Sequence, residues 1–219
     1  MMRILLTIFL ACGLLGVEQS QSLHAQAKTG GRVRTSTTEC GPVSDGLLKC
    51  PRFGFTYKIP YGWVDRSDDM QEEGEGGEQE SAPAEKSQTL LAIFERPPGA
   101  PGETINSAVV IAAESLADYH GVKTAADYFG PITELAEERG FKAVNDPYAV
   151  SIGAKQLVRE DFSKERGKLT MWQSSLVMID KGYIVSFTFV GGSEDDIEEL
   201  IGNLNFGARL SRPPPAPAK

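Results

Sequence analysis

The side chains that could carry acid–base or metal chemistry are spread thinly along the chain. From Lys28 onward there is one histidine, His120, with Asp118 two residues before it. A histidine-based triad or a zinc site would have to be built around that single imidazole. The sequence around it is typical of a loop that precedes a helix. We therefore interpret His120 as a surface residue.

Two pairs of neighbouring carboxylates could in principle act on one substrate. Glu160 and Asp161 fall on a predicted strand, where successive side chains point to opposite faces of the sheet. Glu134 and Glu138 share one face of a predicted helix with Arg139, a pattern typical of a solvated face. A carboxylate-dependent hydrolase acting on envelope polymers remains the alternative function. It requires two carboxylates that converge in a cleft.

A pair of glycines before a predicted helix could hold an anion. Gly191-Gly192 has this position, but Glu194, Asp195 and Asp196 fill the first helical turn and would repel a phosphate. The sequence contains neither a G-x-x-x-x-G-K-[ST] phosphate loop nor a Gly-x-Ser-x-Gly elbow. We expect no catalytic residue, no cofactor and no bound metal.

The first 27 residues are typical of a secretory signal. Arg3 is followed by an almost unbroken apolar run over residues 4–17, and Ala25-Gln26-Ala27 has the small-x-small pattern of a cleavage site. We expect cleavage between Ala27 and Lys28, and a periplasmic or secreted protein. A retained anchor is the weaker interpretation, because the apolar run is too short to span a bilayer comfortably.

Cys12 lies inside this segment and leaves a second possibility open. Leu10-Ala11-Cys12 resembles the end of a lipobox, although Phe9 stands where an aliphatic residue is usual and apolar sequence continues past the cysteine. Lipidation of Cys12 therefore stays an alternative to cleavage after Ala27.

Two cysteines remain after cleavage. Cys40 and Cys50 are separated by nine residues that include Gly41-Pro42 and Asp45-Gly46 turn signals. In an oxidising compartment such a pair favours a disulfide, which would stabilise the fold by roughly 2–3 kcal/mol. Two free thiols in a metal or redox site are the alternative. They lack both a third ligand and C-x-x-C spacing.

The net charge of −8 is concentrated in one segment. Residues 65–86 hold nine acidic residues against Arg66 and Lys86, so the rest of the chain is nearly neutral. We expect a disordered acidic insertion over residues 65–88, because it has almost nothing apolar to bury. It lacks the spacing of a calcium loop, and cation binding is left open. We expect neither nucleic acid nor anionic membranes as partners, because the chain is acidic and their phosphates would be repelled.

The apolar patterns predict a mostly antiparallel sheet and two helices. One helix starts at a Thr124–Asp127 capping box, contains Pro131 and stops at Gly140. The other starts at Ser193, with Ile197, Leu200, Ile201 and Leu204 as its buried stripe. The predicted strands are 53–59, 63–64, 90–94, 108–113, 155–162, 169–179 and 183–190.

The strand over residues 183–190 is apolar on both faces, which is typical of a central strand covered on both sides. The sequence therefore predicts an α+β fold: an α/β/α sandwich with a central, mostly antiparallel sheet and helices on both faces. Trp63, Trp172 and the strand aromatics are interpreted as core.

The chain divides into a signal peptide (1–27), a flexible lead-in (28–39), one domain (40–206) and a proline-rich tail (207–219), which we expect to be extended and unpacked. No second apolar run approaches membrane length, so we expect no membrane span in the mature chain.

Residues 53–63, FGFTYKIPYGW, resemble the opening strand and Pro-x-Gly-Trp turn of PsbP-like proteins. Residues 181–189, KGYIVSFTF, and the Ser193-capped helix resemble that family's closing hairpin and last helix; the match covers about residues 52–206. The resemblance implies an α/β/α sandwich used for docking, without enzymatic activity, and a protein partner in the cell envelope. The family has no universal site motif. The acidic insertion and the Cys40–Cys50 pair are departures from it, so photosystem function is not supported.

Overall fold

An eight-stranded sheet organises the chain in the computed structural model, which describes residues 40–70 and 88–207. The strands are Leu47–Cys50 (β1), Phe55–Lys58 (β2), Val64–Asp65 (β3), Gln88–Phe94 (β4), Ala108–Ser115 (β5), Lys142–Ala143 (β6), Tyr148–Ile152 (β7), Lys155–Arg166 (β8), Leu169–Asp180 (β9), Tyr183–Gly191 (β10) and Leu204–Asn205 (β11), and the helices are Phe129–Glu138 (α1) and Glu194–Gly202 (α2). The large sheet has the order β3-β4-β5-β10-β9-β8-β6, with β7 also paired to β8. Every pairing within it is antiparallel.

The central position predicted for residues 183–190 is confirmed. β10 pairs with β5 on one side and with β9 on the other, so that Phe187 lies opposite both Ile111 and Leu176. On one face of β10, Val185, Phe187 and Phe189 are fully buried, and on the other face Ile184 is buried as well. Since each fully buried aliphatic or aromatic side chain contributes about 1.5–3 kcal/mol, this strand fixes the middle of the core.

One face of the large sheet is covered by α2 together with a small sheet of order β1-β2-β11. Phe55 of β2 packs edge-on against Phe187, with 5.1 Å between the ring centroids. The Tyr57 hydroxyl donates a hydrogen bond of 3.1 Å to the Leu200 carbonyl oxygen and so ties β2 to α2. Helix and small sheet therefore form one covering layer.

The opposite face is covered by α1 and the loop before it. The Thr124–Asp127 capping box is present, with the Thr124 N–H donating to the Asp127 carboxylate at 2.8 Å and the Asp127 N–H donating to the Thr124 hydroxyl at 3.3 Å. The regular helix begins later, at Phe129, so that Pro131 falls in its first turn, where no backbone donor is needed. Gly140, at φ 81°, follows the helix as predicted.

The α/β/α sandwich with helices on both faces is thus the observed fold. Four details differ from the sequence prediction. Residues 55–58 join the small second sheet, Leu204 lies in β11 beyond the end of α2, and Leu135 is 47% exposed although it follows the apolar period of α1. Asp65 and Gln88, the two ends of the predicted disordered insertion, pair in β3 and β4. The paired segments β1, β6, β7 and β11 were not predicted, because short strands carry little periodic signal. No helix within the described residues is long and apolar enough to cross a membrane.

Candidate functional site

A cleft of about 480 Å³ opens at one end of the sandwich. It lies where the loop before β3, the loop before β5, the start of β9 and the first two turns of α2 meet, and its lining includes Trp63, Ile105, Thr170, Gly192 and Leu200. A second hollow of about 500 Å³ adjoins it and shares Leu169, Thr170, Gly192 and Ser193 in its lining. Together they form a continuous depression, which we call the α2 cleft.

Aromatic and aliphatic side chains form the walls of the α2 cleft. Trp63 lines the first hollow and Trp172 the second, and both are half-buried against the edge of the core. Leu169, at the start of β9, is 38% exposed. Tyr61 follows the lining residue Pro60 in the chain and is fully exposed. Exposed aromatics beside a concavity are typical of binding surfaces, since they bury large apolar area at low entropic cost.

Carboxylates predominate among the charged residues that line the α2 cleft. Five acidic residues contribute to its walls and rim, against the single base Lys168. The five are Glu95, Glu194, Asp195, Asp196 and Glu199. The Arg96 guanidinium lies 3.6 Å from the Glu95 carboxylate and offsets part of that charge. The negative balance favours a cationic occupant over an anionic one.

The geometry of the α2 N-terminus agrees with the sequence argument against an anion site. The Asp196 N–H donates to the Ser193 hydroxyl at 3.1 Å, and the Gly192 N–H donates to the Asp196 carboxylate at 3.0 Å. That carboxylate occupies the place that an external anion would take. A Cβ at Gly191 would lie 2.9 Å from the Asp196 Cβ, so this turn also needs glycine for close approach.

A second polar cluster lies at the edge of the large sheet. The Arg159 guanidinium bridges two carboxylates, 2.7 Å from Asp161 and 2.6 Å from Glu198. Asn145 and Tyr148 donate to the other Asp161 oxygen at 2.8 and 3.1 Å. Burial alone would raise the pKa of Asp161, but the hydrogen bonds from Asn145 and Arg159, together with the charge of Arg159, outweigh it and hold that pKa below its usual value. Asp161 is therefore a structural anion.

Glu160 and Asp161 make contacts on opposite faces of β8, as predicted. Glu160 is buried under α1, where its carboxylate accepts a hydrogen bond of 2.9 Å from the Thr133 hydroxyl. Burial raises the pKa of Glu160. Asp161 contacts Arg159 on the α2 side of the sheet, so these two carboxylates do not converge. Glu134 and Glu138 are exposed on α1, the solvated face expected for them.

A third cluster joins Glu114 to two tyrosines. The Glu114 carboxylate accepts hydrogen bonds from Tyr119, at 2.7 Å, and from Tyr128. The two tyrosine rings meet edge-on, with 5.0 Å between their centroids. Burial raises the pKa of both tyrosines, that of Tyr119 to about 12. His120 is exposed beside this cluster, in agreement with its interpretation as a surface residue.

The structure joins Cys40 and Cys50 in a disulfide, and both residues are buried in the main core. Within residues 40–70 and 88–207, no group of three or more His, Cys, Asp or Glu side chains is arranged to hold a metal. The proposed cleavage site at Ala27–Lys28 and the lipidation candidate Cys12 lie outside the described residues. So do residues 71–87 of the acidic insertion and residues 208–219 of the tail.

The two tryptophans were interpreted as core residues, and the structure corrects this in part. Trp63 and Trp172 pack against the core with one side and face the α2 cleft with the other. The sequence signal that could have pointed here is the Pro60-Tyr61-Gly62 turn, which carries Tyr61 into solvent and in which Gly62 adopts φ 83°.

The chain is similar to several solved structures. Cyanobacterial PsbP from Synechocystis sp. PCC 6803 is 12% identical, with a TM-score of 0.43 over 76% of this chain and 96% of that one. The Ran-binding protein Mog1p of Saccharomyces cerevisiae is 10% identical, with a TM-score of 0.41 over 76% and 97%. LpqN of Mycobacterium tuberculosis, involved in cell envelope biogenesis, is 13% identical, with a TM-score of 0.37 over 69% and 82%.

A cyanobacterial PsbP is thus among the solved structures to which this chain is similar, in agreement with the resemblance of residues 53–63 and 181–189 to PsbP-like proteins. No protein-family model matches the chain, and no curated protein sequence matches it. Likenesses this distant describe the arrangement of strands and helices, and they carry no information on activity.

Proposed function

We propose that this chain is an exported, non-catalytic binding module that docks a protein partner in the cell envelope through the α2 cleft. The observation that carries the proposal is the cleft itself. It places Trp63, Trp172 and Leu169 around a concavity of about 480 Å³ and the adjoining hollow, with Tyr61 fully exposed beside it. The signal-like N-terminus and the Cys40–Cys50 disulfide support a compartment outside the cytosol.

Such a surface can supply affinity in the way that protein interfaces do. A few central aromatic side chains provide most of the binding free energy, and the charged rim sets the association rate and the choice of partner. Trp63 and Trp172 are already held on one side by core packing, so little side-chain entropy is lost when a partner covers the other side. The carboxylates around them favour a partner that presents lysine or arginine.

The alternative, a carboxylate-dependent hydrolase, needs a protonated acid and an ionised carboxylate facing one substrate. Asp161 and Glu198 share Arg159 as an ion-pair partner, and the lowered pKa of Asp161 keeps that carboxylate from serving as the protonated acid. In the α2 cleft, Asp196 accepts a backbone N–H at the helix start, and Glu95 accepts one from Ser107 at 3.4 Å. These roles favour binding over hydrolysis.

Affinity capture from envelope extracts of the source cells tests the proposal. The bait is the chain from Lys28 onward, compared with a double variant carrying Tyr61→Ser and Leu169→Glu. Leu135→Glu is the control, because Leu135 is 47% exposed on the opposite face of the sandwich. We expect one protein to be retained by the unmodified bait and by the control, and lost from the double variant. Equal recovery on all three baits would contradict the proposal.

A further inference from the structure

We propose that residues 208–219 of the same chain dock in the α2 cleft. The inference rests on the proposed function in one respect, since both take the α2 cleft to be a peptide-binding surface. It adds the chemistry that the cleft recognises, a proline-rich segment with flanking cationic side chains. It also gives the cleft an occupant in cis, with which an external partner must compete.

The segment has the composition that an acidic aromatic cleft would select. It contains Arg209, Arg212 and Lys219 and no acidic residue. Between the cations lies Pro213-Pro214-Pro215-Ala216-Pro217, a run that favours the polyproline II conformation. Proline-rich segments of this kind dock in aromatic-lined grooves, because their preformed backbone loses little entropy on binding.

The α2 cleft offers the complementary groups. Trp63 and Trp172 supply flat apolar faces for proline rings, and Leu169 adds an exposed aliphatic contact. The lining residues carry five carboxylates against Lys168, which gives the guanidinium groups of Arg209 and Arg212 partners at the rim. Shape and charge thus point to the same occupant.

Residues 208–219 are long enough to reach the α2 cleft. Leu200 lines the α2 cleft, and Gly207, the last described residue, follows seven residues later. Gly207 is therefore within about 25 Å of Leu200 even if the chain between them were fully extended. Twelve further residues in polyproline II conformation span about 37 Å. The proline run can return to the cleft of its own chain, where tethering raises its effective concentration to the millimolar range.

The two tryptophans provide a direct readout, since Trp63 and Trp172 are the only tryptophans of the chain and both line the α2 cleft. The experiment uses the chain from Lys28 to Lys219 and a variant in which Arg209, Arg212 and Lys219 are all changed to glutamate. We expect the tryptophan emission of the variant to shift to longer wavelength and its quenching by acrylamide to increase. Adding a synthetic peptide of residues 208–219 to the variant should reverse both changes.

A scrambled peptide without consecutive prolines and the variant Trp63→Phe are the controls, and the circular dichroism spectrum checks that all proteins are folded. Emission that is the same with and without the charge reversal, together with no response to the peptide, would overturn the proposal. A response that grows with protein concentration would contradict docking in cis. Cleft-dependent capture of an envelope protein tests the proposed function separately, because it does not require the tail to bind.

Discussion

Gly153, in the turn between β7 and β8, lies against the backbone of Gly207 at the end of the described domain. A Cβ at Gly153 would lie 2.6 Å from the Gly207 carbonyl oxygen, and the Ala154 N–H donates to the same oxygen at 3.1 Å. Gly153 also adopts φ 56°, in the left-handed region. This contact fixes the point from which the C-terminal segment leaves the fold.

Gly153→Ala should therefore destabilise the fold through a backbone clash in addition to the cost of positive φ. Gly167 is the matched control, because it has φ 68° and no atom within 4 Å of its Cβ position. We expect Gly167→Ala to cost about 1 kcal/mol and Gly153→Ala about 2–4 kcal/mol in urea unfolding. Equal losses for the two variants would show that the Gly207 contact is not maintained in solution.

The Cys40–Cys50 disulfide should contribute measurably to stability. Its ten-residue separation corresponds to about 2–3 kcal/mol in the chain-entropy model. We expect the double variant Cys40→Ala, Cys50→Ala to lose about this much in urea unfolding, and reductant to lower the midpoint of the unmodified protein but not that of the variant. Alanine keeps the buried sites apolar. A midpoint that is insensitive to reductant would contradict a structural role for the bond.

The Arg159–Asp161 ion pair should matter more than a comparable exposed pair. Arg159→Met leaves the Asp161 carboxylate without its charged partner, and we expect a loss of about 1–3 kcal/mol at neutral pH. Lys155→Met is the control, because the Lys155–Asp180 pair is longer, at 3.3 Å, and more exposed, so its loss should stay below about 1 kcal/mol. Equal and small losses of unfolding free energy in the two variants would contradict a structural role for the Arg159–Asp161 pair.

The Arg159–Asp161 pair should make the stability of the fold depend on pH in the acidic range. The pKa of Asp161 is lowered in the folded state. The contribution of this carboxylate to the free energy of unfolding is therefore complete above its unfolded pKa, about 3.9, and is lost as the pH falls through its pKa in the folded state. In Arg159→Met that pKa rises toward the unfolded value. Urea midpoints measured from about pH 5 to pH 2.5 should then fall less steeply for the variant than for the unmodified protein.

Alkaline pH should weaken the fold through the Tyr119–Glu114–Tyr128 cluster. Burial raises the pKa of Tyr119 to about 12, whereas an unfolded tyrosine titrates near 10. Because this pKa is raised in the folded state, the contribution of Tyr119 to the free energy of unfolding is complete below about pH 10 and is lost as the pH rises toward 12. We expect the urea midpoint to fall over this range, and to fall less for Tyr119→Phe. Identical alkaline profiles for the two proteins would contradict this assignment.

Local signals in the sequence were sufficient for most of the fold. The two-sided apolar pattern of residues 183–190 located the central strand, because a strand buried on both faces has few other places in an antiparallel sheet. The Ser193–Asp196 capping box marked the start of α2, because capping depends on side chains three residues apart. Pro131 moved the start of α1, since proline belongs in the first helical turn.

The second sheet could not be predicted in the same way. β11 has two residues and pairs with β2, which lies almost 150 residues earlier, so its existence depends on tertiary contacts alone. Leu204 fitted the helical stripe and is buried as expected, yet its backbone belongs to that strand. Burial of a side chain was therefore predictable where the backbone conformation around it was not.

The α2 cleft could not be predicted from the sequence either, because it also depends on tertiary contacts. Trp63, Ile105, Thr170 and Leu200 come from four separate segments, and only the register of the large sheet and the position of α2 bring them together. A tryptophan that faces a cleft has the same sequence context as one in the core. The Pro60-Tyr61-Gly62 turn is visible in the sequence, but the residues that surround it in space are not.

Site-specific photocrosslinking in the source cells tests the central claim, that the α2 cleft docks a protein partner. The photoreactive residue replaces Tyr61 beside the cleft or, as the control, Leu135 on the opposite face; both positions are exposed. We expect a discrete crosslinked envelope protein from position 61 that is absent from position 135 and disappears when Leu169→Glu is added. No adduct at position 61, or the same adduct from both positions, would contradict it.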